Sequence, residues 1–338
     1  MKRILSLRSL ALFAGAVSLL SGCDSSSSSE GGSPTAPQNK LDSLVFVGTP
    51  TIADQDMLLS LIGETESGKS LQLSAGQVSI VIDSVSSGAK TGITITNILN
   101  TSATSGLPLA AQLIMDGSGS MSSNDEDGFR KIAGKSFVNF LNANSASSKV
   151  AIAEFSPGDG EAYFFNLWAD FTPVSTPSKI NPFFDSLSES GSTPLFTSIR
   201  RGLEHTDSVI SQATYQRVVI AFTDGGDNDS YERDSVGALI ALSQTKKIPV
   251  SAVGMGSSID AADLFRLAWS TGGIYGKADS ASELVPLFSA ISQGAVQGAT
   301  NIQAKLDKSA YSGQIYWITV TVTVNGVVEH RQFKITAM

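Results

Sequence analysis

Five oxygen-bearing side chains, placed in three separate parts of the sequence, have the types and spacing of a divalent-metal site. Asp116, Ser118 and Ser120 alternate with glycines in the run Asp-Gly-Ser-Gly-Ser. Thr193 and Asp224 follow far downstream. Two carboxylates and three hydroxyls are hard ligands, which suit Mg²⁺, Mn²⁺ or Ca²⁺ better than zinc. Because so few of them are anionic, the pattern predicts a cation that still attracts a carboxylate from a partner.

Apolar runs lead directly into both carboxylates. Residues 109–115 are apolar and end at Asp116, and residues 218–223 form a second such run that ends at Asp224. In a parallel sheet, ligands gather at the carboxyl ends of the strands. We therefore expect both carboxylates on the same rim, with the glycines at 117 and 119 allowing the loop to turn back towards it.

Short apolar runs alternate with amphipathic stretches between residues 107 and 298. A parallel pair of strands needs a crossover long enough to hold a helix, so repeated strand and helix order predicts a doubly wound α/β fold. Its sheet should be mainly parallel and flanked by helices on both faces. The predicted strands are 109–115, 150–155, 218–222 and 248–253, and the predicted helices are 129–141, 194–210, 235–246, 260–271 and 282–296.

The segments on either side of this region, residues 41–106 and 299–338, have the pattern of β-structure. Short alternating runs are separated by Gly, Ser, Asp and Pro, and Asn325-Gly326 between two long runs is a strong hairpin signal. We expect the two flanks to pack together as one small β-sandwich-like domain, with the α/β region inserted between them. Two separate β appendages are the alternative.

The first 22 residues resemble a bacterial lipoprotein signal. Three cationic side chains precede an apolar stretch, residues 10–20, that is too short to span a bilayer. It ends in Leu20-Ser21-Gly22-Cys23, which resembles a lipobox and implies cleavage after Gly22 and lipidation of Cys23. The alternative is an ordinary signal peptide followed by an incidental cysteine.

Cys23 is the single cysteine, so no intramolecular disulfide is expected. Residues 23–40 then form a lipidated cysteine and a flexible linker rich in Ser, Gly and Pro. These features predict an exported chain that acyl groups anchor in a bacterial cell envelope, in the inner or outer membrane, at the periplasmic face or the cell surface.

The charge balance disfavours nucleic acid as a partner. The whole chain has a formal charge of −8, and loss of the three cationic side chains in residues 1–22 leaves −11 on 316 residues. Nucleic acids and anionic membrane surfaces bind proteins through clusters of Lys and Arg, which this chain lacks.

Residues 107–298 resemble the von Willebrand factor type A domain with its metal-ion-dependent adhesion site. The family pattern is Asp-x-Ser-x-Ser, a distant Thr and a distant Asp, and the chain matches it at all five positions. Further similarity lies in residues 191–195, 223–225, 248–256, 268 and 271–273.

The resemblance implies a role for each metal-site residue. Ser118, Ser120 and, in some states, Thr193 would contact the metal directly, whereas Asp116 and Asp224 would act directly or through water. It also implies a protein ligand whose Asp or Glu carboxylate completes the coordination, in adhesion or in assembly of an envelope complex. A fold remnant, or a structural envelope component whose metal only stabilises the fold, is the alternative.

Enzymatic and nucleotide-binding functions have little support. His205 and His330 are the two histidines, and neither a Gly-x-Ser-x-Gly nor a His-Glu-x-x-His motif occurs. Residues 63–70 match the phosphate-binding pattern Gly-x-x-x-x-Gly-Lys-Ser, but a strand-like run follows instead of a helix. We therefore expect a polar hairpin turn there. The acidic residues that follow Asp224 are expected to be solvated loop acids and not a calcium loop.

Overall fold

Strands and helices occupy most of the computed structural model, which describes residues 41–65, 70–102, 106–156 and 160–338. The expected signal, Cys23 and the linker lie outside these residues. The strands are β1 (Leu41–Phe46), β2 (Thr51–Ala53), β3 (Asp56–Thr65), β4 (Ser70–Leu71), β5 (Val78–Val85), β6 (Ile93–Ser102), β7 (Leu109–Asp116), β8 (Lys149–Phe155), β9 (Asn166–Pro173), β10 (Gln216–Thr223), β11 (Val250–Met255), β12 (Tyr275–Ala278), β13 (Gly298–Leu306), β14 (Ile315–Val324) and β15 (Val327–Thr336). The helices are α1 (Met121–Asn124), α2 (Phe129–Asn144), α3 (Glu161–Phe164), α4 (Pro177–Asp185), α5 (Leu195–Val209), α6 (Val236–Lys246), α7 (Ala261–Thr271) and α8 (Leu284–Gln297).

The central sheet has the strand order β12-β11-β10-β7-β8-β9. Every neighbouring pair is parallel except β8 and β9, which are antiparallel. The prediction of a doubly wound, mainly parallel sheet is confirmed. Two strands were not predicted, the edge strand β9 and the four-residue strand β12.

Helices cover both faces of this sheet because its strands are apolar on both sides. All eight residues of β7 are buried, with Leu113 and Ile114 in different apolar clusters. The Leu113 cluster includes side chains from α2, α4 and α8, and the Ile114 cluster includes side chains from α5, α6 and α7. Parallel sheets are usually covered in this way, since each crossover helix packs back on the sheet.

The β-sandwich combines strands from the segments on either side of the α/β region. One antiparallel sheet has the order β1-β3-β13-β6, with β2 and β4 also paired to β3, and the other has the order β15-β14-β5. Strand β13 lies between β3 and β6, and β14 pairs with β5. The joint β-domain is therefore formed as expected, and the alternative of two separate appendages is wrong.

Both hairpins expected from the sequence are present. Asn325 and Gly326 have φ values of 49° and 81° between β14 and β15, which is the left-handed backbone of the favoured two-residue turn. In the segment that resembles a phosphate-binding loop, β3 and β4 pair as antiparallel strands. No helix opens at Ser70, so this segment is not a phosphate-binding loop.

Close contacts join the β-sandwich to the α/β layer, and the described residues from Leu41 onwards form one compact unit. The amide of Thr49 donates to the carbonyl of Lys277 at 2.8 Å, beside a parallel bridge between Gly48 and Lys277 at the edge of β12. The side-chain amide of Asn301 in β13 donates to the carbonyl of Gly273 at 2.7 Å. Among the described residues, no helix combines the length and apolar character needed to span a bilayer.

Candidate metal centre

The loop after β7 holds its first two ligand positions by a short internal contact. The amide of Ser118 donates to Oδ1 of Asp116 at 2.7 Å. A β-carbon at Gly117 would lie 2.4 Å from Oε1 of Glu154 and 2.8 Å from the carbonyl oxygen of Phe155. A side chain at this position would therefore collide with β8, so the tight turn requires glycine.

Hydrogen bonds connect this loop directly to the end of β10. Oγ of Ser118 lies 3.0 Å from Oγ of Ser120, which donates to Oδ1 of Asp224 at 2.7 Å. On the other side, Thr223 donates its hydroxyl to Oδ2 of Asp116 at 2.8 Å. Four of the five predicted residues thus form a continuous polar cluster, although β7 and β10 are far apart in sequence.

Thr193 is placed beside the cluster by two other loops. The amide of Gly119 donates to the carbonyl of Gly191 at 3.1 Å, which attaches the Thr193 segment to the first loop. Thr193 donates its amide to Oδ1 of Asn228 at 2.7 Å and accepts the amide of Asn228 at 3.1 Å. A β-carbon at Gly225 would lie 3.8 Å from Oγ1 of Thr193. The structure therefore brings all five predicted residues to one rim of the sheet.

The two carboxylates are buried and close to each other. Asp116 is 0% exposed and Asp224 is 1% exposed, whereas Ser120 is exposed. Burial and, to a smaller extent, the nearby charge of Asp224 raise the pKa of Asp116 to about 6, against hydrogen bonds from Ser118 and Thr223 that lower it. Two ionised carboxylates that are close together and shielded from water repel one another. A cation between them would relieve that repulsion.

The donor set fits a hard divalent cation. Within the described part of the chain, no three side chains of the types His, Cys, Asp and Glu form a group that could hold a metal ion by themselves. The cluster consequently offers hydroxyl and carboxylate oxygens, with two carboxylates and no nitrogen or sulfur ligand among the five residues. Such a set suits Mg²⁺, Mn²⁺ or Ca²⁺ by ligand type.

Three residues support the site in ways that were not predicted from the sequence. Thr223 bonds Asp116, Asn228 brackets Thr193, and Asn124 donates its side-chain amide to Oδ2 of Asp224 at 2.9 Å. Thr223 and Asn228 lie within a few residues of Asp224, so polar side chains at the end of a buried strand were a usable signal. Asn124 carried no comparable signal.

A buried polar network lies behind the first loop. Glu154 is 0% exposed and accepts the amide of Ser188 at 2.5 Å and the indole N–H of Trp168 at 2.8 Å. Arg130 is also 0% exposed, and it pairs with Asp125 at 2.7 Å while donating to the carbonyl of Ser188 at 2.9 Å. Burial raises the pKa of Glu154. This network fixes the chain that runs from α4 towards Thr193.

The acidic residues after Asp224 support helix α5. Oδ1 of Asp227 accepts the amide of Phe196 at 3.0 Å, in the first turn of the helix. Asp234 is 2% exposed and accepts the hydroxyl of Thr197 at 2.7 Å and Nε of Arg200 at 2.8 Å. The expectation of solvated loop acids is therefore wrong for Asp234, because the residue pairs with helix side chains in a buried position.

Neither histidine is part of the metal centre. His205 lies on α5, with Nδ1 2.8 Å from Oε1 of Gln112 and its ring stacked on Phe171. Burial lowers the pKa of His205. His330 is exposed on β15, in the β-sandwich.

Comparison with known proteins agrees with this architecture. The family model described as the von Willebrand factor type A domain matches residues 112–289. No curated protein sequence matches the chain.

The chain is similar to several solved structures at low sequence identity. One is a von Willebrand factor type A protein from Catenulispora acidiphila, at 11% identity and a TM-score of 0.49, covering 90% of this chain and 75% of that one. Another is the pilus adhesin SpaC from Lactobacillus rhamnosus GG, at 12% identity and a TM-score of 0.46, covering 90% and 48%.

A third is proximal thread matrix protein 1 from the mussel byssus, with a zinc-occupied adhesion-site motif, at 18% identity and a TM-score of 0.44. The match covers 58% of this chain and 50% of that one. The present chain thus spans about half of the length of SpaC and of the mussel protein.

Proposed function

The chain belongs to the von Willebrand factor type A domain family, and from this premise we propose that it binds a protein ligand through a divalent cation. The residues that would hold the cation are Asp116, Ser118, Ser120, Thr193 and Asp224. The observation that supports this most strongly is the contact series from Ser118 through Ser120 to Asp224, which joins two loops at the same rim.

Each residue has a separate task in this proposal. Asp116 and Asp224 supply the negative charge, and their burial keeps water from weakening the attraction to a cation. Ser118, Ser120 and Thr193 supply neutral oxygens. A bound Mg²⁺, Mn²⁺ or Ca²⁺ would take at least about six oxygen ligands, so these five side chains would leave a position open for a partner. An Asp or Glu of the partner would then approach from the side of Ser120, which is the exposed member.

We further propose that the chain is a bacterial envelope lipoprotein, exported and anchored through acyl groups on Cys23. The motif at residues 20–23 and the polar segment after it support this location. Adhesion and assembly of an envelope complex are both compatible with a tethered binding domain. We propose no catalytic role, since neither histidine lies near the five residues.

Metal binding is tested first, with the purified protein. At a free cation concentration of about 100 times the dissociation constant, binding should add roughly 2.7 kcal/mol to the free energy of unfolding. Thermal melts with Mg²⁺, Mn²⁺ and Ca²⁺, each repeated on Asp116→Ala, measure this effect. A melting temperature that no cation moves would contradict the proposal.

Ligand binding is tested by capture from envelope extract. The proposal expects a captured protein that EDTA releases and that Thr193→Ala fails to retain. If melting responds to cations but capture is the same with EDTA or with Thr193→Ala, the metal has a structural role and the ligand-binding proposal is wrong.

A further inference from the structure

A row of aromatic rings extends from the Thr193 loop across the surface beside the metal centre. The hydroxyl of Tyr163 accepts the amide of Ser192 at 3.0 Å, which ties the first ring to this loop. The ring centroid of Tyr163 lies 5.5 Å from that of Phe164, which lies 4.7 Å from that of Tyr231. We call Tyr163, Phe164 and Tyr231 the aromatic ledge.

The ledge is held firmly at both ends. Tyr163 also donates its hydroxyl to Oδ2 of Asp229 at 2.8 Å. The amide of Tyr231 donates to the hydroxyl of Thr197 at 2.9 Å, in the first turn of α5. These contacts fix the ring positions relative to the loop that carries Thr193.

Arg233 lies at the far end of the ledge. Its guanidinium carbon is 4.7 Å from the ring centroid of Tyr231, a cation–π distance, and its side chain is 65% exposed. Its closest carboxylate partner among the described residues is Asp234, 3.8 Å from Nε. Asp234 already accepts the shorter contact from Arg200, at 2.8 Å. The charge of Arg233 is therefore not strongly paired within the fold.

Three other arginines of the α/β layer differ in this respect. Arg130, Arg200 and Arg217 each have a carboxylate within 3.0 Å and little side-chain exposure. Arg233 is an exposed, ring-supported cation on a chain whose formal charge is −8. A planar guanidinium in a fixed position is suited to a carboxylate, because it donates two parallel hydrogen bonds.

We propose that Arg233 is a second anchor for the partner, which supplies two carboxylates from one acidic segment. The first carboxylate reaches the metal centre, the second pairs with Arg233, and the chain between them crosses the aromatic ledge. Tyr231, 40% exposed, provides apolar contact along that path. This inference rests on the proposed function and adds the chemical class of its ligand.

Synthetic peptides provide the probe. One peptide has a single Asp in a Gly/Ser background, and the others have two Asp residues separated by one to six Gly/Ser residues, each of which adds at most about 3.5 Å of reach. Dissociation constants are measured in Mg²⁺ by titration calorimetry or NMR. Because an exposed ion pair contributes little, we expect the two-Asp peptide of the best spacing to bind about two- to fivefold more tightly than the single-Asp peptide. Peptides whose spacing is too short to reach Arg233 should show no gain.

Variants test whether Arg233 causes the tighter binding of the two-Asp peptide. In Arg233→Gln, the ratio of the dissociation constants of the single-Asp and two-Asp peptides should fall to about one. In Arg233→Glu, the two-Asp peptide should bind more weakly than the single-Asp peptide. Arg266→Gln, which removes an exposed arginine on α7, is the matched control and should keep the gain. Circular dichroism verifies that each variant folds.

The outcomes separate this inference from the function on which it rests. If the single-Asp peptide binds only with Mg²⁺ but a second Asp adds nothing at any spacing, the second anchor is wrong and the metal centre stands. A gain that persists in Arg233→Gln likewise rules out the second anchor and leaves the metal centre intact. If binding is indifferent to Mg²⁺ and to Asp116→Ala, both proposals are wrong.

Discussion

The hydroxyl of Ser120 donates to Oδ1 of Asp224 across 2.7 Å, although 104 residues separate the two in sequence. This contact joins the loop after β7 to the end of β10. It exists because the two strands are parallel neighbours, so that both end at the same rim. A cation-binding site distributed over distant parts of the chain is thereby assembled by the sheet itself.

Loss of the Ser120 hydroxyl should weaken cation binding without unfolding the domain. Ser120→Ala removes a neutral oxygen ligand at an exposed position, so we expect affinity for Mg²⁺ to fall at least about tenfold. At a fixed Mg²⁺ concentration that saturates both proteins, this reduces metal-induced stabilisation by about 1.4 kcal/mol. Thermal melts over a series of Mg²⁺ concentrations measure the change. Ser208→Ala, whose hydroxyl bonds a carbonyl of its own helix, is the control and should behave as wild type.

The pKa of Asp116 predicts a pH dependence in chelator-treated protein. Its pKa is raised from 3.8 to about 6 in the folded state, chiefly by burial. The folded state therefore holds this proton more tightly, so its contribution to stability is complete below pH 3.8 and is lost as pH rises through about 6. The loss is of the order of 3 kcal/mol.

Asp116→Asn provides the comparison for this pH dependence. Denaturant unfolding between about pH 4 and about pH 7 should show the wild type losing stability relative to Asp116→Asn over that interval. Added Mg²⁺ should compete with the proton, so its apparent affinity for the wild type should decrease as pH falls below about 6. If the stability of the two proteins changes with pH in parallel, the raised pKa of Asp116 is contradicted.

The sequence predicts the central strands of the α/β fold because they are nearly continuous apolar runs. Strands β7 and β10 are recognisable from this character, and the ligand positions at their ends follow from it. Strand β12 spans only four residues, and β9 mixes polar with aromatic residues at a partly exposed edge, so neither has a clear period. Helix α4 contains Pro182, which is a helix breaker by local sequence rules.

The site was predictable in its ligands but not in its surroundings. Asp116 and Asp224 each follow an apolar run, whereas Tyr163 and Tyr231 lie in short or irregular segments with no shared spacing. Their proximity arises because α3 packs against α5 and the amide of Tyr231 donates to the hydroxyl of Thr197 on α5. Only the three-dimensional structure shows that these rings, and Arg233 at their end, lie beside the metal centre.

The close approach at Gly117 predicts that a single methyl group will distort the metal loop. In Gly117→Ala the new carbon would lie 2.4 Å from Oε1 of Glu154, whose carboxylate three hydrogen bonds hold in place. We expect a loss of about 1–3 kcal/mol in the free energy of unfolding and weaker Mg²⁺ binding. Denaturant unfolding and Mg²⁺ titration measure the two effects.

Gly226→Ala is the control for this substitution, since the nearest atom to its added carbon, the carbonyl oxygen of Ser258, is 3.7 Å away. It should change stability by less than about 0.5 kcal/mol. Equal effects of the two substitutions would show that crowding against Glu154 is not what requires glycine at 117.

Gly48 should be needed to hold the β-sandwich against the edge of β12. Its φ is +74°, and an added β-carbon would collide with the carbonyl oxygen of Lys277, which accepts the amide of Thr49. Gly48→Ala therefore combines backbone strain with a collision at a backbone atom that cannot move without disturbing β12. We expect it to destabilise the protein by more than about 2 kcal/mol and to speed hydrogen exchange at the Thr49 amide.

Gly88→Ala separates the two causes. Gly88 has a φ of +70°, and no other part of the described chain lies within 4 Å of its added carbon, so this substitution reports the backbone strain alone, about 1 kcal/mol. The difference between the two variants then measures the collision with Lys277. If Gly48→Ala costs no more than Gly88→Ala and Thr49 keeps its exchange protection, the segment does not depend on this contact, and the junction must rely on Asn301 and the apolar packing around α8.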